Sequence, residues 1–212
     1  MLRCTFPLTA FAACSLAAPA LAQPLIVERL MLVGPSNDII AVVDGDPGRV
    51  TIDAAIDRLL GQPDADITMV HNHANGSGLS LEDLLQLMKP GVAAIVAAGA
   101  EGSRYEAARG SRFNRTRLEG LYNKAYCQVV KDLLVARSHQ PALPTFDNQI
   151  AHLTSLALQK AGVLQYRATL AGLRASEWHA HRPLLGPVTE AAAARVRESQ
   201  DPLRSGRAAC AR

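Results

Sequence analysis

Two histidines one residue apart, followed by a serine and an aspartate in a short frame, are the residues of this chain best suited to chemistry. They are His71, His73, Ser80 and Asp83 in the segment HNHANGSGLSLED. The preceding run, residues 67–70, is apolar and β-branched in character, which predicts a buried strand. Because residues two apart at a strand end project to the same side, both imidazoles can meet one metal ion.

The residues that follow the histidines predict where a third ligand comes from. Residues 75–78 are Asn, Gly, Ser and Gly, a composition typical of a turn. Ser80 then stands at the N-cap position of a predicted helix, so Asp83 falls in the first helical turn and its carboxylate can point back to the strand end. Two histidines and one carboxylate, with a position left for water, form the ligand set of a catalytic zinc site.

This pattern resembles the signature of the JAMM/MPN (JAB-like) zinc metalloproteases, in which a distant upstream glutamate precedes His-x-His, a spacer and Ser-x-x-Asp. It is most similar to the phage- and toxin-associated variant that carries HNHP. The resemblance implies that His71, His73 and Asp83 bind Zn²⁺ and that Ser80 helps to hold the oxyanion. It also implies an upstream general base, and Glu28 is the only glutamate before the histidines.

The resemblance covers residues 25–109 and has two departures. Ala74 replaces the usual proline, and the spacer before Ser80 is one residue shorter than in the DNA-repair-associated and deubiquitinating members. If Glu28 is not the base, Asp38 and Asp44 are the next candidates. The letters HNH also occur in HNH nucleases, but the hairpin-plus-helix frame of those sites is not evident here.

The hydrophobic pattern of residues 25–109 alternates as in a small α/β (α+β) domain, which agrees with the JAMM-like mixed sheet flanked by helices. The predicted elements, in chain order, are strands 25–33 and 39–43, helix 51–60, strand 67–70, helix 80–89, and strands 92–98 and 104–108.

The remainder of the chain has helical periodicity and predicts a helical C-terminal region. The predicted helices span residues 118–137, 146–160, 163–175 and 188–198. A second His-x-His, His179 and His181, has no following carboxylate frame, so ordinary solvated histidines are expected there. Residues 201–212, with proline, glycine and three arginines, are expected to form a disordered tail.

The first 22 residues are typical of a signal peptide. Arg3 supplies a positive charge, residues 8–16 are apolar, and Ala-Leu-Ala precedes Gln23. Cleavage would leave a metal-binding domain at 23–110 and a helical region at 111–200, with no transmembrane segment, in the periplasm or outside the cell. A lipoprotein acylated at Cys14 is the weaker alternative.

Two cysteines, Cys127 and Cys210, remain in the predicted mature chain. In an oxidising compartment they can pair, or they can stay apart.

Charge is divided unevenly along the chain. Residues 23–101 hold 4 basic and 11 acidic side chains, whereas residues 102–212 hold 17 basic and 8 acidic ones. Such asymmetry indicates either that the halves face each other or that the basic half meets an anionic partner. Because the basic residues are dispersed and aromatic residues make up only 4% of the chain, nucleic acid is not expected. An anionic cell-envelope surface is the expected partner.

The sequence therefore predicts an exported zinc-dependent hydrolase that cleaves a peptide or isopeptide bond through a metal-activated water. Its substrate would be a peptide or protein. The alternative is a non-catalytic exported module, in which the α/β domain binds metal and the helical half binds a partner in a secretion, toxin or cell-envelope system. A DNA-processing role, known in one branch of the family, is disfavoured by the signal peptide.

Overall fold

The structure, a computed structural model, describes residues 27–46 and 50–200. These residues form an α+β fold with a helical C-terminal region, as predicted. Its elements are β1 (Arg29–Val33), β2 (Ile39–Asp44), α1 (Ala54–Leu60), β3 (Ile67–His73), α2 (Leu81–Gln86), β4 (Val92–Gly99), β5 (Arg104–Arg109), α3 (Leu118–His139), a 3₁₀ turn (Asp147–Gln149), α4 (Ile150–Lys160), β6 (Leu164–Thr169) and α5 (Gly172–Gln200).

The six strands form one mixed sheet in the order β2-β1-β3-β4-β5-β6. Only β3 and β4 run parallel, and all other neighbours are antiparallel. The connection between the parallel strands contains α2, which covers the sheet. The metal-binding sequence therefore lies at the C-terminal end of a central strand, where the chain leaves the sheet and enters this crossover.

One apolar cluster joins all five described helices to one face of the sheet, and it runs from Leu30 to Val196. A smaller cluster on the opposite face consists of strand residues only: Met31, Val33, Val70, Val96 and Ala98. The boundary that the sequence suggested at residue 110 falls inside the larger cluster. The helical half and the half that contains the two histidines thus share one core.

The predicted helix over residues 163–175 is wrong. Residues Leu164–Thr169 form β6, which pairs antiparallel with β5 and completes the sheet. Leu164 and Tyr166 are buried while Gln165 and Arg167 are not, which is the period of two expected of a strand. Gly162, with φ of +78°, makes the turn from α4 into this strand.

The predicted helix at 188–198 is part of a much longer helix. α5 begins at Gly172 and continues to Gln200 through Pro183 and Pro187. Proline interrupts helical hydrogen bonding at a cost of about 3 kcal/mol. Burial of one face offsets that cost, because Leu185, Val188 and other small and apolar residues of α5 pack into the core.

Several sequence predictions fall outside the described residues, namely the signal peptide at 1–22, Cys14, the tail at 201–212 and Cys210. Cys127, on α3, is disulfide-bonded, and the other three cysteines of the chain all lie outside the described residues. None of the described helices is long and apolar enough to cross a membrane.

Candidate metal centre

The end of β3 brings two imidazoles together on one face of the sheet. His71 and His73 are separated by one residue, and their Nε2 atoms lie 2.9 Å apart. Their side chains retain only 5% and 11% of their accessible surface. Two ring nitrogens that converge this closely in a buried place form either a shared hydrogen bond or two corners of a metal site.

Asp83, which the sequence predicted as the third ligand, lies beside both histidines. It occupies the first turn of α2, and its two carboxylate oxygens lie 3.1 Å from Nε2 of His71 and 3.4 Å from Nε2 of His73. The backbone N–H of Ser80 donates to Asp83 Oδ2 over 2.7 Å, which fixes the carboxylate. Oδ1 makes the shorter contact with His71 and remains available to an ion.

Glu28 reaches the same cluster from the residue before β1. Because Leu30 pairs with His71 in the antiparallel register, Glu28 lies on the same face beside His73. A carboxylate oxygen of Glu28 and one ring nitrogen of each histidine all lie within 4.8 Å of one another. Glu28, His71 and His73 therefore form a group that can hold a metal ion.

Neither alternative base lies in this cluster. Asp38 stands at the hairpin turn between β1 and β2, where its carbonyl oxygen accepts from the N–H of Gly34. That turn is at the opposite end of β1 from Glu28. Asp44 is held by Arg29 in an exposed ion pair of 2.5 Å.

The hydrogen bonds of His73 indicate which ring nitrogen carries its proton. Nδ1 lies 2.9 Å from the carbonyl oxygen of Ser77, and a carbonyl can only accept. Nδ1–H is therefore the donor, and the lone pair of the neutral ring is left on Nε2, the atom that faces His71 and Asp83. A histidine fixed through its other nitrogen is the usual arrangement of a metal ligand.

Charge and burial oppose each other at the cluster. Burial lowers the pKa of His73, but its contacts with Asp83, with the Ser77 carbonyl and with Glu28 outweigh burial and raise that pKa. Burial likewise raises the pKa of Asp83, and the two imidazoles outweigh it and hold that pKa well below its usual range. Asp83 is thus ionised under ordinary conditions, which is the state that binds a cation.

Ser80 lies beside the cluster and caps α2. Its Oγ accepts from the backbone N–H of Asp83 over 3.1 Å, so the two residues form a reciprocal capping box. This bond uses an oxygen lone pair and leaves the hydroxyl proton for another acceptor. Ser80 also lines the cleft that opens over the histidines.

Asn72 is a residue whose role the sequence did not reveal. It is buried, and its Oδ1 accepts from the N–H of Arg29 over 2.6 Å while its Nδ2 donates to the carbonyl of Val27 over 3.2 Å. These two bonds hold the backbone on either side of Glu28. Because neighbouring residues of a strand point to opposite faces, an asparagine between two histidines of one face points to the other face. That position was the only feature of the sequence that could have indicated the role of Asn72.

The loop between β3 and α2 is held by residues far away in sequence. Tyr105 of β5 donates to the carbonyl of Gly76 over 3.0 Å, and Arg174 of α5 donates to the carbonyl of Asn75 over 2.6 Å. Gly78 packs so closely on α4 that a Cβ there would lie 2.9 Å from the backbone nitrogen of His152. The helical half therefore holds the loop between β3 and α2.

The second His-x-His does not form a site. His179 and His181 lie within α5, where residues two apart point to different sides of the helix. His179 is exposed, and the ring of His181 packs edge-on against Phe146 at 5.1 Å.

A cleft of about 780 Å³ opens over the cluster. Its lining includes Glu28, His71, His73 and Asp83 together with apolar side chains. A concave, partly apolar site of this size with a few polar groups is typical of small-molecule and peptide binding.

Comparisons of the chain with protein-family models, with curated proteins and with solved structures found no match. The function must be argued from the site.

Proposed function

We propose that this protein is an exported zinc-dependent hydrolase that cleaves a peptide or isopeptide bond through a metal-activated water. The observation that carries the proposal is the convergence of four residues, Glu28, His71, His73 and Asp83, in an open cleft. Two imidazoles and a carboxylate that face a cleft, with room for water, are the donors of a catalytic zinc site.

The donor set fits zinc. Tetrahedral zinc sets two imidazole nitrogens about 3.3 Å apart when Zn–N is near 2.0–2.1 Å. The Nε2 atoms are 2.9 Å apart. Small side-chain rotations that separate them by a few tenths of an ångström would bring them to the spacing that zinc requires. A bound zinc ion would polarise a carbonyl and lower the pKa of a ligand water to about 7.

The protein groups around the ion have separate roles in this proposal. Asp83 makes the closer contacts with both histidines and serves as the third ligand. Glu28, on the residue before β1, accepts the proton of the attacking water and returns it to the leaving amine. The Ser80 hydroxyl donates to the oxyanion that forms as the carbonyl is attacked.

The proposal agrees with the resemblance to JAMM/MPN metalloproteases, which implied the same four residues and Ser80. Export rests on residues 1–22, and contact with an anionic envelope surface rests on the basic half of the chain. Export also favours peptides or proteins of the cell envelope as substrates over conjugates found inside the cell.

The central test separates ligation from catalysis with Glu28→Gln. The purified protein is loaded with zinc, its metal content is measured, and hydrolysis is followed with casein and a mixture of internally quenched peptides. We expect Glu28→Gln to keep its zinc and lose about 10² or more in rate, because a general base contributes about that factor. Glu119→Gln, an exposed acid on α3, is the matched control and should behave as wild type.

The other outcomes identify the error. Full activity in Glu28→Gln would mean that the base lies elsewhere. If wild type and Glu28→Gln both bind zinc and neither cleaves any peptide, the protein is a metal-binding module and not an enzyme.

A further inference from the structure

Some of the apolar side chains that line the cleft lie on the same strand as the histidines or on the strands beside it. Met69 precedes His71 by two residues on β3 and shares its face of the sheet. Its neighbours Leu30 on β1 and Ile95 on β4 also line the cleft, and Val50 and Ile52 do so ahead of α1. Apolar side chains thus continue the floor away from the metal centre.

The spacing along β3 suits an extended peptide. Residues two apart on a strand are about 6.6 Å apart, and the same spacing separates alternate side chains of a bound peptide. If the scissile carbonyl of a peptide is held at the histidines, a side chain of that peptide within two residues of the carbonyl would therefore lie over Met69. The described part of the cleft has no lysine or arginine, and Glu28, Glu82 and Asp83 make it acidic.

A polar atom in the cleft wall lacks a partner. Gln86 of α2 lines the cleft, and its Oε1 is buried without a hydrogen bond, while its Nε2 donates to the carbonyl of Glu82 over 3.4 Å. An unpaired buried acceptor is unfavourable. Rotation of the Gln86 side chain, which among the described residues only a 3.4 Å bond to Glu82 holds, would bring Oε1 to a peptide N–H in the cleft.

From these three observations we infer that the cleft selects peptides with a large aliphatic side chain next to the scissile carbonyl, and excludes acidic ones at that position. Leu30, Met69 and Ile95, each at most 4% exposed, form the floor of this apolar subsite together with the partly buried Val50 and Ile52. Gln86 accepts a backbone N–H of the same peptide. The inference rests on the proposed function, since it assumes that the metal centre holds the carbonyl.

The test uses three small zinc-binding probes, the hydroxamates of N-acetyl-leucine, N-acetyl-alanine and N-acetyl-aspartate. Their binding to the zinc-loaded full chain is measured by calorimetry, which needs no turnover. We expect the leucine probe to bind at least about tenfold more tightly than the alanine probe, since a buried methylene contributes about 0.8 kcal/mol. The aspartate probe should bind most weakly.

A matched pair of variants tests the subsite itself. Ile52→Ser, in the cleft, should reduce the leucine-to-alanine ratio several-fold, whereas Ile40→Ser, on the exposed edge strand β2, should leave it unchanged. N-methylation of the leucine probe's amide should weaken binding to wild type. In Gln86→Met, which lacks the acceptor, N-methylation should have no such effect.

Zinc content measured on the same samples distinguishes the two levels of failure. Two results would overturn the subsite but not the metal centre. The first is equal binding of all three probes to zinc-loaded protein, and the second is a reduction of the leucine-to-alanine ratio by Ile40→Ser equal to that caused by Ile52→Ser. Absence of zinc from the wild-type chain after loading would overturn the proposed function and the subsite with it.

Discussion

Arg174 of α5 donates from Nη2 to the carbonyl oxygen of Asn75, 99 residues earlier, over 2.6 Å. Asn75 lies two residues after the ligand-set histidine His73, in the loop that leads to Asp83. The C-terminal helix therefore holds the loop between β3 and α2 directly. The guanidinium is largely buried, and Glu101 lies 3.9 Å away as its counter-charge.

The first prediction concerns this contact. Arg174→Met keeps the length of the side chain but leaves the Asn75 carbonyl unpaired, which should cost about 1–3 kcal/mol of unfolding free energy. Because the loop then loosens, we also expect zinc affinity to fall several-fold. Urea unfolding and a competitive zinc titration measure the two effects. Arg182→Met, exposed on the same helix, is the control; if Arg174→Met loses stability alone, the arginine supports only the fold.

The ligand set makes a second prediction. We expect about one zinc per chain, with the metal lost in His71→Ala and in Asp83→Ala and kept in His179→Ala. The physical reason is that His71 and Asp83 face one point, whereas His179 lies exposed on α5. Elemental analysis of dialysed protein decides this. Loss of zinc in His179→Ala alone would reverse the assignment.

Asn72 gives a third prediction, because its two hydrogen bonds bracket Glu28. Asn72→Ala should keep zinc, since His71 and His73 are untouched, but should lower the rate on any cleaved peptide about tenfold or more by misplacing the base. If Asn72 had a purely structural role, Asn72→Ala would lower stability, but the rate of hydrolysis per folded, zinc-loaded molecule would be unchanged. The dependence of the rate on pH gives a further readout, because a displaced base shifts the acidic limb of the pH–rate profile. Asn148→Ala, an exposed control, should leave that limb in place.

The disulfide supplies a fourth prediction. Cys127 is disulfide-bonded, and Cys4 and Cys14 belong to the segment expected to be removed on export. We therefore expect Cys210 to be its partner in the exported protein. Peptide mapping without reduction should recover Cys127 and Cys210 in one linked fragment. Recovery of both as free thiols from exported protein would rule the bond out.

The sequence predicted the elements around the site because their signals are local. His-x-His at the end of an apolar run and Ser80 before a helix indicate the strand, the turn and the helix N-cap within residues 67–83. Glu28 could be chosen because no other glutamate precedes the histidines. Its approach to them depends on the antiparallel register of β1 with β3, which is consistent with the resemblance but not contained in the local pattern.

What the sequence missed depends on distant contacts. Leu164 and Tyr166 alternate with polar residues, but the leucines that follow continue a helical spacing, and only pairing with β5 makes the segment a strand. The predicted helix at 188–198 began directly after Pro187, whereas α5 continues through this proline and packs against the core. Arg174 had no local signal at all, since its partner is the backbone of another element.

The last prediction concerns His152, which is buried between Tyr105, Tyr166 and Trp178 and far from bulk water. Burial lowers the pKa of this imidazole from 6.5 to about 4. The folded protein therefore keeps His152 neutral between these values, while the unfolded chain binds a proton. Stability from this group is fully present above pH 6.5 and is lost as pH falls towards about 4, by about 3 kcal/mol in all.

In His152→Phe this component should vanish. The free energy of unfolding in urea should therefore decline less steeply between pH 7 and 4 than in wild type. His139→Phe, exposed at the end of α3, is the control and should retain the wild-type slope. Equal slopes for wild type and His152→Phe would mean that the imidazole is protonated in the folded protein.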